Sequence, residues 1–165
     1  MKRTELKRTP FRRKPAKPRS RAVKLAHKRK AAKNKVVKEN DQILRALALM
    51  RDGRCVVPDC EHPMNKLEVS HIYPKGEAQF PHMRWILENV EIRCVGHHKF
   101  LPGSPHNDAG GWGIWVMQLP RKRMNLLKRE AARRGLVKVD RAFIDQWNVD
   151  LRAAYLRATG SAWGE

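Results

Sequence analysis

The sequence predicts an α+β fold: a small metal-stapled core of two strands and a helix, flanked by helices and preceded by a disordered basic arm. Three observations predict it. Cysteine and histidine fall in two tight clusters, Cys55-Val-Val-Pro-Asp-Cys60 and Cys94-Val-Gly-His97. Leu67-Glu-Val-Ser-His-Ile-Tyr73 alternates apolar and polar side chains, whereas the flanking segments repeat apolar residues at helical spacing. Charge is concentrated at one end, with 17 Lys or Arg against 2 Glu in residues 1–40 and 19 against 14 in residues 41–165.

The first element is the arm, residues 1–38. Lys2-Arg3-Thr4, Lys7-Arg8-Thr9-Pro10 and Arg12-Arg13-Lys14-Pro15 form a loose repeat, and Pro18 follows. Such a segment repels itself and has little apolar surface to bury, so disorder is expected. Release of counterions from a polyanion gives the charge a use, which makes nucleic acid the expected partner and Lys7, Arg8, Arg12, Arg13 and Lys14 its contacts. A membrane is not expected. The arm lacks the aromatic and aliphatic face of an interfacial helix, and no run approaches the length of a span.

Residues 39–108 read as the core domain. Ile43, Leu44, Leu47, Leu49 and Met50 recur at helical spacing, with Asn40 or Asp41 as cap and Gly53 as terminator. The alternating run from Leu67 to Tyr73 is a strand that Pro74 and Gly76 end, and Val90–Arg93 is a second. A short helix starts near Cys94 and stops by Pro102-Gly103. Residues 109–165 read as a helical extension: apolar residues from Trp112 to Met117, a basic helix from Arg121 to Arg134 closed by Gly135, and a last helix capped by Asp140. Phe143, Trp147, Leu151 and Tyr155 step along that last helix by fours and serve as core.

Three cysteines cannot complete a disulfide framework, and the chain opens on a basic and not an apolar segment, so a reducing cytosol is expected. Inert buried thiols are one reading of Cys55, Cys60 and Cys94. The stronger one is structural zinc, because two turns that each converge two soft or imidazole donors supply four tetrahedral ligands. Spacing admits either His97 or His98 as the fourth ligand. His97 is preferred because it leaves His98 for chemistry.

Two strands followed by a helix, with His71 late in the first strand, Asn89 before the second and His98 on the helix, is the layout of the ββα-metal or HNH nucleases, and the chain resembles that superfamily. Asn89-Val-Glu-Ile-Arg-Cys94-Val-Gly-His97-His98 is similar to the family's asparagine, cysteine pair and final histidine, with His97 in place of the second cysteine. Phage HNH proteins of the NinG recombination type are more similar still, sharing His71-x4-Gly76 and the apolar-Arg-aromatic triplet Met83-Arg84-Trp85 ahead of Asn89. The likeness spans roughly residues 51–108.

The resemblance implies a phage or prophage endonuclease that hydrolyses DNA in the cytoplasm of a bacterial host. His71 would be the general base, Asn89 would steady the loop that carries it, and His98 would bind a catalytic Mg²⁺ or Mn²⁺, with Ni²⁺ or Zn²⁺ as alternatives. Two positions depart from the pattern. The residue before the base is Ser70, not an acid or histidine, and a second helix histidine is replaced by Pro102. His106, Asn107 or Asp108 would then assist His98. Arg84 fits either an ion pair with Glu88 or a phosphate clamp. The rival to a nuclease is a non-catalytic zinc-stabilised nucleic-acid-binding protein, and a homodimer is as compatible with the sequence as a monomer.

Overall fold

From Arg21 to Asp52 the chain contains neither proline nor glycine, and Ala, Lys, Arg and Leu dominate it. In the computed structural model, which describes residues 21–61, 64, 66–76 and 79–164, this stretch is one 32-residue helix, α1 (Arg21–Asp52). The expectation of disorder through residue 38 is therefore corrected for residues 21–38. Lys and Arg are good helix formers once Pro18 is passed, and Val36 and Val37 anchor the segment by packing against the core. Residues 1–20, with Lys7, Arg8, Arg12, Arg13 and Lys14, lie outside the described residues. Asn40 is not a cap either. It sits buried inside α1, where Nδ2 donates to the Ile144 carbonyl at 3.1 Å and Oδ1 accepts from Asn148 at 2.7 Å. Gly53 closes the helix with φ +67°, a left-handed backbone that suits glycine, and its N–H returns to the Leu49 carbonyl at 2.8 Å.

Two strands follow, β1 (Leu67–His71) and β2 (Val90–Cys94), paired antiparallel with Leu67 opposite Cys94 and His71 opposite Val90. Strand β1 ends at His71, two residues short of Tyr73, because the Ile72 and Tyr73 N–H groups turn to Asn89. Single-turn 3-10 helices at Pro81–Met83 and Leu87–Asn89 carry the connection back to β2. Then come α2 (Val95–Lys99), α3 (Ala109–Met117), α4 (Arg121–Ala132) and α5 (Arg141–Thr159). Asp140 caps α5 by accepting from the Phe143 N–H at 3.1 Å.

Alternation along the strands assigns the two faces of the hairpin. Val90 and Ile92 enter a core built with Ile43, Leu44, Leu47 and Ala48 of α1, Trp85, and Ile144 and Leu151 of α5. Phe143, Trp147 and Tyr155 flank that core as expected of a helical stripe. Within the helical extension, α5 fills the same core as α1. A second cluster gathers Ile72, Met83 and Leu127, with Trp112 and Phe80 against it, and seats α3 and α4 beside the loop between the strands. No helix among the described residues is long and apolar enough to cross a membrane.

Candidate metal centre and histidine site

Helix α1 ends in a turn that leads directly to Cys55, and the Val56 N–H donates to the Ile92 carbonyl at 2.9 Å, hanging this knuckle on β2. Within Cys55–Cys60, Asp59 adopts φ +54°, a conformation that aspartate tolerates better than most residues and that fits the turn expected at Pro58-Asp59. Cys94 ends β2 and caps α2, one turn before His97. The four donor atoms of Cys55, Cys60, Cys94 and His97 lie within 4.8 Å of one another.

The spacing fits zinc. A tetrahedral ion with Zn–S bonds of about 2.3 Å separates two sulfurs by roughly 3.8 Å and a sulfur from an imidazole nitrogen by roughly 3.6 Å. Here Cys60 Sγ lies 3.8 Å from Cys94 Sγ, and His97 Nδ1 lies 3.7 Å from Cys55 Sγ and 3.3 Å from Cys94 Sγ. The cysteines are not joined as disulfides. Burial pushes the Cys94 thiol up, but N–H groups of His97 and Gly96 and the neighbouring thiols bring it below its ordinary value, favouring the thiolate that a metal requires. His97, and not His98, is the histidine brought to the cluster.

Beside the cluster is a charge pair that the sequence reading missed. Glu91 and Arg93 alternate with the core residues of β2 and are 1% and 2% exposed. The Arg93 guanidinium lies between the rings of Trp112 and Trp115, 4.6 and 4.7 Å from their centroids, and donates to Glu91 at 3.3 Å. Glu91 also accepts from Trp115 Nε1 at 2.9 Å and from Arg123 at 3.2 Å. Opposite charges two apart in a strand, with tryptophans three apart on a following helix, were the available signal.

His71 occupies the other end of the hairpin. Its Nε2 lies 3.0 Å from the Arg84 carbonyl, an acceptor only, so Nε2 carries the proton and Nδ1 keeps a lone pair. Burial, with the Lys75 charge second, lowers the imidazole to about 4 against the pull of that carbonyl. It borders a cleft of about 260 Å³ lined also by Asp41, Leu44, Arg45, Glu68 and Lys75. Asn89 is fully buried and clamps the next turn: Oδ1 accepts from the Tyr73 N–H at 2.8 Å, and Nδ2 donates to the Tyr73 and Met83 carbonyls at 3.0 Å.

The remaining expected site residues are placed differently. His98 Nδ1 pairs with Glu68 at 2.7 Å, and burial lowers its pKa although Glu68 opposes the shift. Its ring packs edge-on against His106, with centroids 4.9 Å apart. Asp108 does not assist His98, because its carboxylate accepts from Gly111 N at 2.9 Å and Gly103 N at 2.7 Å and so caps α3. Asn107 donates to the Phe100 carbonyl instead. Arg84 is bound through two nitrogens to Asp41, at 2.9 and 2.6 Å, and not to Glu88. Trp85 Nε1 joins the same carboxylate at 2.9 Å. Among the described residues the Cys55–Cys60–Cys94–His97 cluster is the only set of three or more donors gathered for a metal. Glu68 lies near both histidines, bordering the His71 cleft and holding His98.

Comparison with known protein families, with curated proteins and with solved structures gives no match.

Proposed function

We propose that this chain is a metal-dependent endonuclease of the HNH class that hydrolyses DNA phosphodiester bonds in a phage or prophage setting, with His71 as general base. The observation that carries the reading is the state in which His71 is held. The Arg84 carbonyl fixes the proton on Nε2, a depressed pKa keeps the ring neutral at physiological pH, and Nδ1 is left as a base. In the proposed reaction Nδ1 takes the proton of a water as its oxygen attacks phosphorus and the bond to the 3′-oxygen breaks. Asn89 positions the base, since two of its hydrogen bonds fix Tyr73, two residues after His71, and the third fixes the Met83 carbonyl next to Arg84.

A divalent cation, with His98 as its protein ligand, would supply charge compensation at the phosphate and the departing oxygen. Such a cation would complete its shell with water and substrate phosphates, and a lone imidazole suits Ni²⁺ or Zn²⁺ better than Mg²⁺, which prefers carboxylate oxygens. The Cys55, Cys60, Cys94 and His97 cluster is assigned structural zinc, which joins the end of α1 to the β2–α2 junction. The basic residues of the arm, Lys7, Arg8, Arg12, Arg13 and Lys14, supply affinity that is independent of sequence.

Three observations favour a second reading, a zinc-stabilised nucleic-acid-binding protein without hydrolytic activity. Ser70 is buried with its hydroxyl unpaired, Asp108 is committed to a helix cap, and Glu68 is shared between His98 and Lys99. Incubation of purified protein with supercoiled plasmid and Mg²⁺, Mn²⁺ or Ni²⁺ separates the two. Nicked or linear product, reduced about 10²–10⁴-fold in a folded His71→Ala variant, supports the nuclease. No product under any of these conditions supports the binding protein.

A further inference from the structure

The face of α1 that packs on the core at Leu44 continues toward the helix N-terminus as Val37, Lys33 and Lys30, at the three- and four-residue steps that keep one face of a helix. Beyond Val37 this face changes from apolar to cationic. Beneath it lies an open groove of about 1040 Å³, walled by α1, by the loop carrying Lys75 and Arg84, and by the start of α5 at Arg141. No carboxylate lines it among the described residues. Arg84 and Arg141 are held by Asp41 and Asp145, whereas Lys30 and Lys33 form no ion pair among the described residues and Lys75 feels the Asp41 charge without closing an ion pair. Lys75 also lines the smaller cleft of His71, so the two cavities share that residue.

The geometry points to this groove as a track for the phosphodiester backbone of DNA, with Lys30 and Lys33 holding flanking phosphates and Lys75 holding the phosphate presented to His71. The occupant follows from charge and form. A concave wall bearing Lys30, Lys33 and Lys75, with no carboxylate among the described residues that line it, repels cations and attracts a polyanion, and its continuity with the His71 cleft favours a chain of singly charged phosphodiesters. Apolar Val37, Pro81 and Val139 between the cations suit the sugar faces of such a chain. The track rests on the nuclease reading only in its destination, the His71 cleft, and its binding can be measured without hydrolysis.

Fluorescence anisotropy of the full chain with a labelled DNA duplex and its single strand, without added divalent cation, tests it. The triple variant Lys30→Gln/Lys33→Gln/Lys75→Gln should lower affinity about 10-fold or more near ~0.1 M salt. It should flatten the log–log salt dependence by about 2–3, the share of three phosphate contacts at roughly 0.7–0.9 each. A matched triple on α4, Lys122→Gln/Lys128→Gln/Arg129→Gln, should change the slope by less than about 1. Lys75→Arg, which keeps the charge, should retain parental binding and guards against a folding defect at that position. Equal losses in the two triples, or no loss in the groove triple while circular dichroism is unchanged, would overturn the track. Unchanged binding by the groove triple in a protein that cleaves plasmid overturns this inference alone, and groove-dependent binding without cleavage overturns the nuclease alone.

Discussion

Asn89 holds Tyr73 at both of its backbone groups, accepting from the N–H at 2.8 Å and donating to the carbonyl at 3.0 Å. A side-chain amide that mimics a strand partner in this way turns the residue before β2 into the clamp for the turn after β1. Its second amide hydrogen reaches the Met83 carbonyl, so the asparagine also fixes the approach to Arg84, whose carbonyl orients His71.

Asn89→Ala should therefore destabilise the fold as well as slow cleavage. It strands the buried Met83 carbonyl and the part-buried Tyr73 N–H and carbonyl, and an unsatisfied buried group costs about 1–3 kcal/mol. We expect a loss of about 2–4 kcal/mol in urea unfolding, with the zinc content of the folded protein unchanged. A loss below about 0.5 kcal/mol would mean that water replaces the amide at no cost.

The pH dependence of His71 has a definite sign. Its folded pKa, about 4, lies below the ordinary histidine value near 6.5, so between those values the unfolded chain binds the extra proton. Stability from this group is fully present above about pH 6.5 and is lost as pH falls toward 4, with a slope approaching 1.4 kcal/mol per pH unit as an upper limit. His97 and His98 are depressed too and add in the same direction. Comparing the parent with His71→Asn by urea unfolding at pH 7, 6 and 5 isolates the contribution, and parallel curves would refute it. In the nuclease reading, kcat/KM should likewise hold through pH 6 instead of falling with an ordinary histidine.

Elemental analysis should return about one zinc per chain, by the four-ligand arithmetic of structural sites. Cobalt substitution should give the intense visible bands of a tetrahedral thiolate centre. Cys60→Ser leaves three donors on a partly exposed knuckle and should weaken the metal, while Cys94→Ser removes both a donor and the cap of α2 and should cost more stability. Retention of full zinc in both variants would require a different ligand set.

Much of this was legible in the sequence because local signals agreed with the tertiary ones. The strands near Leu67 and Val90, the break at Pro102 and the cap at Asp140 follow from alternation and turn chemistry, and the Cys55–His97 cluster follows from donor count. The start of α1 is not legible from basic density, which alone predicts disorder, because Ala and Lys without proline favour helix. The partners of Arg84, His98 and Asp108 were not legible, since each depends on which carboxylate or N–H the fold delivers. Asp41 and Glu68 arrive from positions 43 and 30 residues away from the cations they meet.

The buried Glu91–Arg93 pair gives the last prediction. Arg93→Met fits between the tryptophans but leaves Glu91 with only Trp115 and Arg123, and breaking a buried pair by removing one partner costs about 3–5 kcal/mol. The double variant Glu91→Gln/Arg93→Met keeps an acceptor for Trp115 without a buried charge, so it should recover a large part of that loss. The two substitutions are thus expected to be strongly non-additive in a double-mutant cycle. A metal effect accompanies this one. Three thiolates around Zn²⁺ carry a net negative charge, and Arg93 interacts electrostatically with both Cys55 and Cys94. Competition with a chromogenic chelator should show weaker zinc binding in Arg93→Met than in the parent at the same pH. Equal zinc affinity in the two proteins would confine Arg93 to its stack with Trp112 and Trp115 and its bond to Glu91.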